Sequence, residues 1–463
     1  MRRSLAFWLL TCIPLMAQQL PAPTELPGDP FFIKNAWKVG GSEDSLNSMV
    51  LEPGQLRLFL AYRHALVISD FKSGTIAGNI SGTFGAYGIA LDDTDEFGYI
   101  SDGRFNQVDI FDRRSLQIVG VIPTAPNPTS VVFEPLSALV FVICNEPLSA
   151  ELVSKLPSVR PLEMRPWARP LEMHPWERTD NELRPIPKPN GRARLNVNQE
   201  AKSKVNLEYR SYITVIDANS WKALANIQLR GKLNFAQTGG GGHVYIGTSR
   251  PFGVVRLNAE ILGDYLRNSG AEMHAVEETT PKQDQLRIGK PYDSQSLGLR
   301  FNVPSIDWSD PRKSNEISGD KIIHLGIGRD CEDLRSLAVD ERHVRLFLAC
   351  GNTKMTVLNA DTGAQIASLP TGGDTSAITY DPDRWLIYAA NNGGDASLTI
   401  IRQSVTDSYA VIQNLPVPHG SRALSVDAGT GLVYMAADYS NLDGESRRSN
   451  GIKGNFQVLV IGH

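Results

Sequence analysis

The chain has 463 residues, 41% hydrophobic and 21% charged, with 40 glycines, 28 prolines and only 4 cysteines. That balance excludes a disordered chain, a collagen and a disulfide-built miniprotein. A net charge of −4 and a pI near 6.1 leave no global nucleic-acid footprint.

The first element is a targeting segment. Arg2 and Arg3 precede an apolar run from Leu5 to Leu10 that continues through Ile13 to Met16, and polar Gln18 and Gln19 follow. This is the layout of a secretory signal peptide over residues 1–17, with Ala17 as the last residue removed; a twin-Arg signal at Arg2-Arg3 and lipidation at Cys12 are the competing readings. The run is too short to span a bilayer, and no later segment is longer and as apolar. Export to the periplasm or the medium is therefore the expectation. The remaining cysteines, Cys144, Cys331 and Cys350, are odd in number, so at least one is a free thiol. Cys331 and Cys350 either form a bridge or fill small apolar positions.

A short strand with an aromatic second residue then recurs: Leu58-Phe59-Leu60, Gly98-Tyr99-Ile100, Val140-Phe141-Val142, Val244-Tyr245-Ile246, Leu346-Phe347-Leu348, Ile387-Tyr388-Ala389 and Val433-Tyr434-Met435. The aromatics are separated by 40, 42, 104, 102, 41 and 46 residues, so two intervals hold one unit plus an insertion of about 60. Upstream of most lies an apolar-x-apolar-acid strand, as in Ile89-Ala90-Leu91-Asp92 and Leu337-Ala338-Val339-Asp340. In the fourth unit it degenerates to Phe235-Ala236-Gln237 before the run Gly239 to Gly242. Downstream comes a third strand ending in Asp or Asn, a turn, and a more polar fourth strand.

Four strands in about 40–46 residues define a blade, and seven blades define an all-β, seven-bladed β-propeller of four-stranded antiparallel sheets. The seventh unit lacks its outer strand. Residues 32–41 resemble the outer strand and exit of residues 364–373, so the N-terminal strand is expected to complete the last blade and close the ring. With the signal and two insertions set aside, residues 18–463 form one domain of about 46 residues per unit.

Ile387-Tyr388-Ala389-Ala390-Asn391, Leu346-Phe347-Leu348-Ala349-Cys350 and Tyr212-Ile213-Thr214-Val215-Ile216-Asp217 resemble the repeat of the YVTN (YncE-like) β-propeller family. The resemblance spans all seven units at the level of the repeat. It implies an exported propeller that binds something on one face, and it supplies no universal catalytic motif. The wider fold group is similar to the propellers of quinoprotein amine dehydrogenases, nitrous oxide reductase and lactonases.

The insertion of about residues 147–208 leaves between the second and third strands of blade three, on the face called top here. It repeats Arg160-Pro161-Leu162-Glu163-Met164-Arg165-Pro166-Trp167 as Arg169-Pro170-Leu171-Glu172-Met173-His174-Pro175-Trp176. With 12 Lys and Arg against 8 Asp and Glu over residues 151–210, it reads either as an extended expansion or as a basic lid. The insertion of about residues 259–319 lies between the third and fourth strands of blade four, on the bottom. There Ile261, Leu262, Tyr265 and Leu266 have helical spacing, and the helix is expected to pack on the propeller. A polar excursion, 441–454, returns to the top of blade seven.

Projecting the repeat gives candidate ligand-binding residues on the top face: Arg63, His64, Tyr87, Asp102, Arg104, Glu146, Arg250, Arg335, Asn391, His419 and Arg422. Asn145, Asp330, Glu332, Asn352, Asp374, Asn392 and Asp438 share that face. Arginines mixed with carboxylates and imidazoles suit an anionic or polyhydroxylated ligand. No G-x-S-x-G, Walker A or H-E-x-x-H motif occurs, so no cofactor or metal is expected and no catalytic residue is assigned. The reading is a monomeric scaffold that binds a protein or a small polar ligand on its top face. The alternative is a hydrolase or lactonase built from a top-face Asp, Glu, His and Arg cluster, with or without the help of a divalent cation.

Overall fold

The computed structural model describes residues 29–39, 46–147, 209–269, 303, 305–307, 319–438 and 456–463, apart from short gaps at 53–54, 56, 63–65, 71–72, 230, 250–251, 329 and 405–406. The signal segment, the duplicated insertion and the 441–454 excursion lie outside the described residues.

The chain opens with β1 (Phe32–Lys38). Blade one is β2 (Leu46–Glu52), β3 (Arg57–Tyr62), β4 (Leu66–Asp70) and β5 (Thr75–Ile80). Blade two is β6 (Ala86–Leu91), β7 (Phe97–Asp102), β8 (Gln107–Asp112) and β9 (Ile118–Pro123). Blade three is β10 (Pro128–Glu134), β11 (Leu139–Pro147), β12 (Tyr209–Asp217) and β13 (Lys222–Leu229). Blade four starts with β14 (Lys232–Thr238), β15 (His243–Ser249) and β16 (Gly253–Asn258). After helix α1 (Ala259–Ser269) and β17 (Ser305–Asp307), β18 (Ile322–Leu325) completes it. Blade five is β19 (Leu334–Asp340), β20 (Arg345–Cys350), β21 (Lys354–Asn359) and β22 (Gln365–Pro370). Blade six is β23 (Gly373–Asp381), β24 (Leu386–Gly393), β25 (Ser397–Gln403) and β26 (Tyr409–Pro416). Blade seven is β27 (Ala423–Asp427), β28 (Leu432–Asp438) and β29 (Phe456–Gly462).

Each blade is an antiparallel meander, and the innermost strands pack against one another in a closed ring in which β27 meets β2. As the sequence indicates, β1 is the outer strand of blade seven, antiparallel to β29 from Phe32↔Gly462 to Lys38↔Gln457. The end strand of the chain therefore finds its partner at the other terminus, and the ring has no open seam.

The seven recurring aromatics, Phe59, Tyr99, Phe141, Tyr245, Phe347, Tyr388 and Tyr434, are at most 1% exposed. They sit on the second strand of each blade, where the period-2 alternation turns both faces toward neighbouring blades. The core is accordingly seven inter-blade clusters.

The second insertion departs from the pattern. Helix α1 buries Leu262 and Leu266 against blades three and four, as its spacing predicts. Arg267 fastens it to blade three through Asp217 (2.9 Å) and the Ser137 carbonyl (2.8 Å). Strand β17 then pairs in parallel with β13 and makes blade three five-stranded. Its three residues carry too little pattern to be read as a strand.

The acids that end the innermost strands are turn acceptors on the bottom face. Glu134 takes the Ser137 amide (2.8 Å) and hydroxyl (2.6 Å). Asp381 takes the amides of Asp383 and Arg384, and Asp427 that of Gly429. Several also reach the next blade. Glu52 of blade one pairs with Arg113 of blade two, a guanidinium 2% exposed that also meets Asp92 at 3.1 Å. Asp340 accepts the Tyr380 hydroxyl (3.0 Å) and the Gln403 amide (3.1 Å) of blade six, and binds His343 Nδ1 at 2.7 Å. Blade four has Thr238 where the acid would stand. Its glycine run instead offers bare amides to its neighbours, Gly242 N–H donating to Glu134 at 3.0 Å. A Cβ on Gly239 would lie 2.0 Å from Glu341 Cγ, so any side chain there would push Glu341 out of its place.

Candidate functional site at the channel mouth

Every innermost strand is hydrogen-bonded on one side only. Seven free strand edges therefore face the axis, where they surround a cavity of about 740 Å³ lined by residues of β2, β6, β10, β14, β19, β23 and β27. Unpaired backbone N–H and C=O groups make such a wall polar whatever the side chains are. Some of these groups tie adjacent blades: Asn47 Nδ2 donates to the Ala86 carbonyl at 3.2 Å, and Ser425 Oγ to the Met49 carbonyl at 3.2 Å.

The top end of these strands is irregular in a repeated way. Six of them carry a register shift near their first residues, at Leu46/Ser48, Ala86/Gly88, Pro128/Ser130, Leu233/Ala236, Leu334/Ser336 and Thr375/Ala377. A bulge releases one residue from the ladder and re-aims its side chain. The released residues are Asn47, Tyr87, Thr129, the pair Asn234 and Phe235, Arg335 and Ser376. They form a ring at the mouth that Arg422 continues just before β27. Tyr87, Arg335 and Arg422 are sequence-derived candidates. Asn47, Thr129, Asn234 and Ser376 were missed, although Asn47, Thr129 and Ser376 each stand one residue before a small residue, Ser48, Ser130 and Ala377.

The remaining candidates divide by burial. Asp102 is buried and accepts the amides of Phe84 (3.1 Å), Arg104 (2.9 Å) and Phe105 (3.2 Å). Asn391 is buried too; its Oδ1 accepts the Thr375 hydroxyl (2.7 Å) and its Nδ2 donates to Thr399 Oγ1 (2.8 Å). In blade three, Asn145 binds both the amide and the carbonyl of Leu233 in blade four. These side chains tie the end of a second strand to the crossover beside it. In blade five the equivalent residue is Cys350, and there the tie is covalent: Cys350 is bridged to Cys331 in the crossover before β19. In blade three it is Cys144, a buried free thiol whose pKa burial pushes up to about 12.

Arg104, Arg335, His419 and Arg422 are exposed. The Arg104 guanidinium lies over Phe84 (5.9 Å) and Phe105 (5.8 Å), a cation–π clasp at the rim of blade two. Arg335 sits between Asp333 (2.6 Å) and Asp374 (3.5 Å). His419 Nδ1 lies 3.3 Å from the Asn392 carbonyl, and Glu146 is 3.8 Å from Arg210. Arg63, His64 and Arg250 lie outside the described residues, and the side chain of Asp438 is not described either. Among the described residues no three His, Cys, Asp or Glu groups gather as a metal ion would need.

One carboxyl stands apart. Asp109 on β8 is 1% exposed at the side of blade two that faces blade one; its Oδ1 accepts the Gln107 amide at 2.6 Å and its Oδ2 has no partner. Burial, with Asp102 beside it, pushes this carboxyl well above its usual range.

The fold and its channel define a β-propeller with WD40-like architecture. No protein-family model matches the chain, and no curated protein sequence does. Among solved structures, the WD40 repeats of RRP9 are similar with a TM-score of 0.54 at 7% identity, over 96% of this chain and 100% of that one. The structure of U3-55K is similar with a TM-score of 0.53 at 6% identity, over 92% and 98%. At such identities the likeness concerns the fold alone.

Proposed function

We propose that this chain is an exported propeller of the YVTN type that acts as an interaction scaffold and binds its partner on the top face. The carrying observation is the bulged ring. Six innermost strands release a side chain at the channel mouth, and the exposed Arg104, Arg335, His419 and Arg422 stand around it. The Cys331–Cys350 bridge supports export, because such bonds persist in oxidising compartments.

The test is affinity capture from the native host with the wild-type chain and with an Arg104→Ala, Arg335→Ala, Arg422→Ala variant, scored by quantitative mass spectrometry. Loss of a specific partner from the folded variant supports the reading. An unchanged partner set moves the binding face elsewhere. Fractionation with N-terminal sequencing tests export, which predicts a mature chain starting at Gln18.

A further inference from the structure

The chemistry of the channel wall narrows what the top face can take in. Among the described residues that line the cavity of about 740 Å³ there is no Asp, Glu, Lys, Arg or His. The polar side chains are amides and hydroxyls, chiefly Asn47, Tyr87, Thr129, Asn234, Gln237 and Ser425, set between the free edges of seven strands. The volume falls in the range of about 300–1,000 Å³ typical of small-molecule sites.

Three ligand classes can be weighed against that wall. A charged group inside would lose hydration without a counter-charge, which is costly in a partly enclosed site. The rim arginines do not supply one: Arg335 is held by Asp333 and Asp374, and neither Arg335 nor Arg422 lines the cavity. An apolar ligand would strip water from unpaired backbone groups and give nothing back. An uncharged molecule rich in hydroxyls meets both demands, since each hydroxyl donates and accepts and so pairs with N–H, C=O, amide or phenol alike. Tyr87, half-buried at the mouth, adds a ring face for the C–H side of a sugar.

We infer that the channel is a binding site for an uncharged oligosaccharide, entering from the top. The inference rests on the scaffold reading and gives its channel a ligand class. Sequence alone left an anionic and a polyhydroxylated ligand both open, because exposed arginines and acids dominate the projected loops; the uncharged channel wall favours the second.

The experiment is calorimetric titration of the purified mature chain with maltotriose, cellotriose, mannotriose and chitotriose. Trigalacturonate, a sulfated trisaccharide and an uncharged Ser- and Asn-rich heptapeptide complete the panel. One neutral trisaccharide is expected to saturate a single site. Its Kd should change less than about twofold between roughly 0.05 and 0.5 M salt, because no ion pair is screened. Tyr87→Ala and Gln237→Leu should each weaken it at least about tenfold, a factor equal to about 1.4 kcal/mol, with the unfolding midpoint unchanged. Binding of only the acidic sugars, of only the peptide, or of nothing overturns the inference. If a protein partner is still captured through the rim, the scaffold reading survives that failure; if capture fails too, both fall.

Discussion

The two faces of this propeller use the same residue types in opposite ways. On the bottom, Glu52, Asp92, Asp340 and Arg113 are buried or nearly so, and Glu52–Arg113 and Asp340–Tyr380 bond across blade boundaries while Asp92 holds Arg113 within blade two. On the top, Arg104, Arg335 and Arg422 stand exposed around a polar channel. A buried ion pair is committed to the fold, since removing one partner strands the other charge. Exposed charge at the mouth contributes little to stability, and an exposed pairing such as Arg335 with Asp333 is exchanged for a partner at small cost. Charge by itself therefore says little about function here; its distance from the turn that holds it says more.

The largest expected effect comes from the bottom. Glu52, 3% exposed, is held by both Arg113 and Arg57 (2.7 Å), so Arg57→Ala with Arg113→Ala strands its carboxylate and should cost about 3–5 kcal/mol in urea unfolding. A loss below about 1 kcal/mol would break the contrast between the faces.

Next is the one place where the top half carries stability covalently. Cys331→Ser with Cys350→Ser opens a loop of 19 residues and should cost about 3 kcal/mol. Reduction of the wild-type chain should reproduce the loss, and a reduced chain as stable as the oxidised one would remove the bridge from the account.

Asp109 sharpens the comparison through pH. Its folded pKa lies above the unfolded value of about 3.9, so the folded chain keeps a proton that the unfolded chain releases. The stability this contributes is present below about pH 3.9 and declines as pH rises toward the folded value. Asp109→Asn should therefore raise the unfolding midpoint at pH 7 and flatten its fall above about pH 4. An unaltered pH profile would show that the carboxyl is ionised in the folded chain.

The smallest effect concerns a core hydroxyl. Tyr388 aligns with Phe59, Phe141 and Phe347, and its buried hydroxyl has no partner. Tyr388→Phe should leave stability unchanged or raise it by up to about 1 kcal/mol. A clear loss would imply a bound water at that oxygen.

The blades were legible because each repeats two local signals: an aromatic on an alternating strand, and an acid before a turn. The closure by β1 was legible because residues 32–41 copy an outer strand found elsewhere in the chain. Strand β17 was not, since three residues fix no period and its partner is set by tertiary packing. The site was half legible. Projection along the repeat put Tyr87, Arg335 and Arg422 at the mouth. It could not separate them from Asp102 and Asn391, which share the face and sit below its surface. That distinction depends on which backbone groups need a partner, and only the folded chain settles it. The bulges that release Asn47 and Thr129 leave no mark in composition.

The central claim is that the bottom face holds the ring together and the top face is free to bind. Urea unfolding of two variants tests it most directly: Arg57→Ala with Arg113→Ala below, which leaves the Glu52 carboxylate buried without a counter-charge, and Arg104→Ala, Arg335→Ala, Arg422→Ala above. The account predicts a loss of at least about 3 kcal/mol for the first and a change within about 1 kcal/mol for the second. Equal losses, or a larger loss from the top, would contradict it.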